Sequence, residues 1–165
     1  MILTKNKILE EIKKKRIKIT PLNKKNIGPA SIDLTLDDKF RGLTFNKITL
    51  NEGIDYKKHT KLVKVSEIVL KPGAFVLGIT KETIKLPDDI VGILTGRSRF
   101  ARLGLGIHVT ASLVQPGVNN KQVLEIKNLG DSELILKPGL KICQIVLERT
   151  EGKAKYRGKF QRQSL

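Results

Sequence analysis

The sequence predicts a mainly β fold, a sandwich or jelly-roll, with one short helix near its start. Two observations carry this. Short runs that alternate polar and apolar residues with period two recur along the chain, as in SIDLTL at residues 31–36, the mark of half-buried strands. Two longer stretches, VLKPGAFVLGITKETIKLP at 69–87 and ILKPGLKICQIVLERTEG at 135–152, share a Leu-Lys-Pro-Gly turn between apolar runs and read as two similar hairpins. Pro at the first central position and Gly at the second fit a type II turn, Pro presetting φ and Gly accepting a positive one. Repeated strand–turn–strand units with almost no helix point to two halves that fold alike.

Taken in order, residues 4–16, TKNKILEEIKKKR, place Ile8, Leu9 and Ile12 at helical spacing behind Thr4, a capping residue. One amphipathic helix follows, its lysine-rich end at the negative pole of the helix dipole. Ile17-Lys18-Ile19-Thr20 alternates as a strand and stops at Pro21. The turn Gly28-Pro29-Ala30 leads into the strand at 31–36, where period two alone reads Asp33 as a solvent-facing carboxylate. From 41 to 63 the runs are short and broken by Asn and Gly, which predicts a mobile hairpin region with His59 exposed in a loop.

A chain of 165 residues is expected to form a single domain, 1–165, burying roughly two-thirds of the surface its unfolded form exposes. With 39% apolar and 29% charged residues it is globular, and no apolar run approaches the roughly 20 residues of a membrane span. Its first residues, MILTK, lack the layout of a signal peptide, so a cytoplasmic location is expected. Cys143 is the single cysteine, which forbids an internal disulfide and fits a reducing compartment. It lies in LKICQIVL and reads as a small buried side chain. The net charge of +16 raises nucleic acid as a partner. Residues 1–27 hold +7 and residues 149–165 hold +5, leaving +4 on the middle, so the charge belongs to the ends and weakens that idea. A basic terminus is a solvated face, or a source of cations for a phosphorylated ligand.

Chemistry concentrates in TGRSRFARLGLGIHVTASLVQPGVNNKQVLEIKN at 95–128, where Ser98, Arg102 and Glu125 stand in or beside apolar segments. An ionised glutamate inside an apolar strand is costly unless paired, and Arg102 is the expected partner. A carboxylate in a poorly solvated pocket has a raised pKa and can take a proton from water and pass it to a leaving amine. The other reading of Glu125 is an edge-strand carboxylate paired for structure. Ser98 and Arg102, four apart, share one face of a helical turn and can share a ligand. His108 lies in an apolar strand and reads as a satisfied core histidine.

The segments GRSRFARLGLGIHVTA at 96–111 and QPGVNNKQVLEIKN at 115–128 resemble the dCTP deaminases of the trimeric dUTPase superfamily. That family's pattern runs GRSSLARLGL, HVTA, PGW or PGF, then LE. GPASIDLTLDDKF at 28–40 and LKPGLKICQIVLE at 136–148 agree, so the resemblance spans nearly the whole chain in order. It implies a distorted jelly-roll of the β-clip type, a homotrimer with active sites at subunit boundaries, and hydrolytic deamination of dCTP to dUTP and ammonia. One cysteine and two histidines cannot supply the His and Cys ligand set of metal-dependent base deaminases, so the reaction is expected to be metal-independent, without zinc, with Mg²⁺ carried on the triphosphate.

By the same resemblance Glu125 is the general acid and base, and Ser98 and Arg102 line the catalytic centre. Ala111 leaves space beside the pyrimidine for water at C4, and Asp33 braces the neighbourhood. Nucleotide contacts are implied at Arg97, Ser98, Arg99 and Arg102, at Val109 and Gln115, at Val123, Leu124 and Glu125, and at Gln144. Tyr156, Lys159 and Gln163 fall on a basic tail, 153–165, that closes over the nucleotide. Three departures matter. Arg99 replaces the family's usual second Ser, and Val118 replaces the aromatic residue that often follows Pro-Gly. Gln115 stands where dUTPases and bifunctional members keep an Asp that orients water toward the α-phosphate. An amide is not a base, although it can hydrogen-bond the sugar 3′-hydroxyl, so diphosphatase chemistry is expected to be weak. The alternatives are a dUTP diphosphatase or bifunctional enzyme, and a nucleotide- or nucleic-acid-binding homologue without catalysis.

Overall fold

The apolar half of each alternating run is buried, and that burial sets the strands. A computed structural model describes residues 1–44 and 47–165. In chain order it gives α1 (Lys5–Lys13), β1 (Lys18–Thr20), β2 (Ile32–Leu43), β3 (Thr60–Lys64), β4 (Ile68–Leu70), β5 (Phe75–Lys85) and β6 (Ile90–Gly96). There follow α2 (Ser98–Ala101), β7 (Leu105–Ile107), β8 (Leu113–Val114), β9 (Asn119–Asn128), β10 (Leu134–Leu136) and β11 (Lys141–Arg149). β2 turns Ile32, Leu34, Leu36 and Phe40 inward and alternates them with polar side chains, as period two requires. The main sheet runs β7-β9-β5-β2-β11-β6-β8, with β1 on β5 and β3 on β2, all antiparallel pairs. The curled, strand-rich architecture is the mainly β fold expected.

The two Leu-Lys-Pro-Gly turns form as predicted. Ala74 N–H donates to Lys71 O (2.9 Å) and Leu140 N–H to Lys137 O (3.3 Å), with Gly73 and Gly139 at φ 75° and 93°. They do not close hairpins. β4 and β10 leave their neighbours β5 and β11 and pair with each other, Val69 opposite Ile135. Type II turns splay the strands they join instead of matching their twist, so each repeat sends its first strand into a small second sheet.

α1 docks through ions as well as apolar contact. Ile8 is fully buried, and Glu11, 2% exposed, accepts from Arg16 Nε and Arg149 Nη2, both at 2.6 Å. Arg16 Nη2 also grips both oxygens of Asp89 at 2.8 Å, tying the helix to β6 and β11. Thr4 occupies the N-cap position with extended backbone but makes no side-chain cap bond. The 41–63 region is a β2–β3 hairpin, Leu43 opposite Thr60, closed by a 3-10 turn over Tyr56–His59. Phe45 and Asn46, within the segment expected to be mobile, lie outside the described residues. His59 ends the 3-10 turn half-buried, where an exposed loop side chain was expected. Cys143 is buried, and desolvation pushes its thiol pKa up. Among the described residues no helix is long and apolar enough to cross a membrane.

Candidate functional site

Glu125 lies on the pocket face of β9. Alternation buries Leu124 and Ile126 and turns Val123, Glu125 and Lys127 toward a cavity of about 720 Å³. That volume falls within the about 300–1,000 Å³ typical of small-molecule sites. Register extends the row: Glu125 faces Leu77 on β5, and Leu77 faces Arg41 on β2. Two inter-strand spacings separate the backbones of Glu125 and Arg41 by roughly 10 Å.

The partner of Glu125 is local, and it is not Arg102. β7 ends at Ile107, and His108 takes a left-handed φ of 58°, so it follows the strand instead of lying in it. The chain then turns back over Glu125. Its Oε2 accepts from Thr110 N–H (2.7 Å), Thr110 Oγ1 (2.8 Å) and, more weakly, Ala111 N–H (3.4 Å). His108 N–H donates to Glu125 O (2.9 Å) and its Nδ1 accepts from Glu125 N–H (3.3 Å), which leaves Nε2 to carry the proton of the neutral ring.

This arrangement reverses the expected pKa. Burial pushes the Glu125 carboxyl upward and is the largest single influence, but the Thr110 hydroxyl and N–H, His108 and the Ala111 N–H together hold it below its ordinary value. Glu125 is therefore ionised at neutral pH. Burial also lowers the His108 pKa against the pull of Glu125.

Of the residues singled out in the sequence, His108, Val109, Ala111, Gln115, Val118, Val123, Glu125, Tyr156 and Gln163 line this one cavity. Leu124 does not, because its side chain is fully buried in the core. Lys159 is exposed on the tail and outside the cavity lining. The tail lies along β9: Asn119 N–H donates to Gln161 O (3.2 Å), Asn120 Nδ2 to Phe160 O (2.6 Å), and Gln163 Nε2 to Lys121 O (3.3 Å). Tyr156 N–H donates to Pro116 O (3.0 Å), beside Gly117 at φ 77°, where a Cβ would come within 2.7 Å of Lys155 Cγ.

A second cluster gathers around α2. Arg97 pairs with Asp33 (3.2 Å) and donates to Lys141 O (3.0 Å), so Asp33 holds a cation where a solvent-facing carboxylate was one reading. Gln144 accepts from Ser31 Oγ (2.8 Å) and donates to Gly96 O (3.4 Å). Ser98 opens α2 and Arg102 caps it, both exposed, and among the described residues neither Arg99 nor Arg102 has an ion-pair partner. None of Arg97, Ser98, Arg99, Arg102 or Gln144 lines the Glu125 cavity. The two clusters are therefore separate within one chain. Among the described residues no cluster of His, Cys, Asp or Glu could hold a metal ion.

Sequence reasoning missed Thr110, Arg41 and Tyr56. Thr110 sits inside the HVTA motif and its hydroxyl was an available signal. Arg41 donates through Nη1 to Thr60 O (3.1 Å) and Oγ1 (3.2 Å), while its buried Nε has no partner among the described residues. Arg41 reaches the cavity through strand register and Tyr56 from the 3-10 turn before β3, neither of which a local pattern shows.

Comparison with known proteins places these features in a family. Residues 2–150 match the dCTP deaminase-like family. The chain is 40% identical over 154 residues to a protein of Methanosphaera stadtmanae named dCTP deaminase, dUMP-forming, covering 89% of this chain and 78% of that one. It is 33% identical over 165 residues to a protein of Halorubrum lacusprofundi named dCTP deaminase, covering 94% and 80%. The crystal structure of 2′-deoxycytidine 5′-triphosphate deaminase from Agrobacterium tumefaciens superposes with a TM-score of 0.73 at 21% identity, covering 91% of this chain and 48% of that one, about half its length. A Staphylococcus bacteriophage 80alpha dUTPase mutant superposes with a TM-score of 0.53 at 15% identity, covering 87% and 88%. These two likenesses concern the fold alone. The matched span and the relatives' identity together show that this chain belongs to the dCTP deaminase-like family.

Proposed function

We propose that this chain is a metal-independent dCTP deaminase that converts dCTP and water to dUTP and ammonia, with Mg²⁺ carried by the triphosphate. The observation that carries the reading is Glu125, an ionised carboxylate on the wall of a ligand-sized cavity, with one oxygen fixed by Thr110 and Ala111. Such a group accepts a proton from water as the water oxygen bonds to C4. It then returns a proton to the amino group as the C4–N bond breaks and ammonia departs. The cavity wall beside Ala111, which ends in a single methyl, leaves room for that water.

A homotrimer is part of the same reading. The separation of Ser98 and Arg102 from Glu125 within one chain supports it, because a neighbouring copy would bring its α2 cluster to the open cavity. Exposed Arg99 and Arg102 then supply the cations a triphosphate needs. A cytoplasmic setting, consistent with a lone buried cysteine, completes it.

A second reading differs only in product. The Methanosphaera relative is named dUMP-forming, whereas the Halorubrum relative is named without that suffix. Gln115 lines the cavity but cannot act as a base, which favours release of dUTP. The test is incubation with dCTP and, separately, dUTP in Mg²⁺, resolving ammonia, dUMP and pyrophosphate. Ammonia with dUTP is expected. Stoichiometric dUMP and pyrophosphate from either nucleotide would replace the reading with the bifunctional one, and no ammonia from dCTP would end both.

A further inference from the structure

We infer that the β1–β5 edge carries a second binding site, for a free oligophosphate anion, separate from the Glu125 cavity. Its starting point is register. β1 pairs with β5 so that Lys18 stands directly opposite Lys85 and Thr20 directly opposite Thr83. Like charges at opposed positions, with Cβ atoms about 5 Å apart, repel and weaken the pair. Among the described residues neither amine has an ion-pair or hydrogen-bond partner.

Five other lysines are ion-paired among the described residues. Lys7 and Lys14 pair with Glu10, Lys64 with Asp38, Lys121 with Asp37 and Lys137 with Glu67. Lys18 and Lys85 line an open surface cavity of about 320 Å³ together with Thr20, Thr83 and Asn119, all exposed except the half-buried Thr83, and among the described residues no carboxylate lines it. Register explains the fifth member, since Asn119 on β9 stands opposite Lys85. The result is two ammonium groups, two hydroxyls and an amide around one space, a donor-rich set whose complement is a small anion of more than one charge. None of the five lines the Glu125 cavity or belongs to the α2 cluster, so the site is distinct from both parts of the proposed reaction centre. It also gives a use to part of the positive charge of residues 1–27 that nucleotide turnover leaves unexplained.

The test is calorimetric titration with inorganic pyrophosphate at low ionic strength, on the full chain. Pyrophosphate is expected to bind the R99Q/R102Q double variant, which removes the exposed cations of α2. Adding K85E should weaken that binding by about tenfold or more, as expected for losing one charge-assisted contact and gaining a repulsive one. K85E also sets a carboxylate opposite Lys18, so its melting temperature should hold or rise. The neutral pair K18Q/K85Q provides the same comparison without a new ion pair. K24E carries the same charge change at an exposed position outside the cavity and should leave the affinity nearly unchanged. Loss of pyrophosphate binding in R99Q/R102Q, unaltered binding in both Lys85 variants, or equal weakening by K24E would each overturn the site. No turnover is measured, so an absence of dCTP deamination does not bear on the result.

Discussion

Glu125→Gln separates the proton chemistry of the site from its architecture. Among the described residues the three donors to the Glu125 carboxylate, Thr110 N–H, Thr110 Oγ1 and Ala111 N–H, converge on one oxygen, Oε2. A glutamine can place its carbonyl oxygen there and keep all three bonds, turning its NH₂ toward the cavity. What changes in stability is the strength of those bonds. A hydrogen bond to a charged group contributes about 1.5–3 kcal/mol and a neutral one about 0.5–1.5, so the three bonds together lose about 3 kcal/mol, which the smaller cost of burying a neutral amide offsets to leave a net loss of about 1 kcal/mol. In a domain of this size that lowers Tm by about 2–4 °C. Catalysis should fall much further, because an amide cannot accept the proton of water. A positioned general base contributes about 10²–10⁴ in rate, equivalent to about 3–5 kcal/mol of barrier. The assay is ammonia release at saturating dCTP, paired with calorimetric dCTP affinity and a melting curve. A variant that folds, binds dCTP within about tenfold of the parent and is nearly inactive meets the expectation. One that folds, binds and keeps turnover within about tenfold would remove Glu125 from the proton transfer and with it the proposed mechanism.

Three further outcomes follow from the same contacts. Gln115→Asp, which puts a carboxylate into the cavity wall, should produce pyrophosphate from dUTP above the parent level under identical Mg²⁺; a mutant that binds dUTP and releases no more would show that Gln115 does not set the product. Glu11→Ala leaves Arg16 and Arg149 sharing Asp89 alone and should cost about 3–5 kcal/mol, read as a drop of about 6–20 °C in Tm by calorimetry; a drop of a degree or two would mean the network is only a surface feature. Acid should destabilise the fold through Glu11, Asp89 and Asp37, whose pKa values arginine or lysine partners hold below the ordinary range. Their unfolded forms bind protons first, so the stabilisation is present above about pH 4–4.5 and is lost as pH falls toward the lower folded values. Glu11→Gln should show a shallower loss across that window in thermal melts.

Strand positions were legible because period two is a local property. The alternation from Ile32 to Leu36 and the Lys-Pro-Gly turns survive intact in the structure. Pairing was not legible, since whether Val69 meets Phe75 or Ile135 depends on strands far apart in sequence. The helical turn joining Ser98 to Arg102 was readable from its spacing. The choice of Thr110 over Arg102 as partner to Glu125 was not, because it follows from a left-handed His108, and nothing in the identity of a histidine requires a positive φ. The same turn is why burial alone misjudged the pKa of Glu125: three donors arrive with it. Arg41 enters the cavity from 84 positions away, through two strand registers, and is invisible to any motif.

Leu124 shows how an error of side-chain direction can still point to the right strand. Backbone N–H and C=O groups of successive residues on a strand face opposite edges. On β9, Asn119 N–H meets Gln161 of the tail, Lys121 O meets Gln163, and Glu125 meets His108 through both its N–H and its C=O. Lys127 then faces Gly106 on β7. All of these are odd positions, and all use the same edge. Val123 is the odd position left between the tail and His108, so its N–H and C=O open onto the stretch of edge that neither β7 nor the tail covers. Leu124 faces the other way, toward Gly78 on β5, with its side chain in the core. Under the proposed reading a planar pyrimidine, with its own alternating donors and acceptors, fits that gap as a short strand would, its C4 directed toward the carboxylate two residues on. On that reading the specificity for a base would come from the Val123 main chain and the chemistry from the Glu125 side chain, both set by one regular strand whose neighbour stops two residues short.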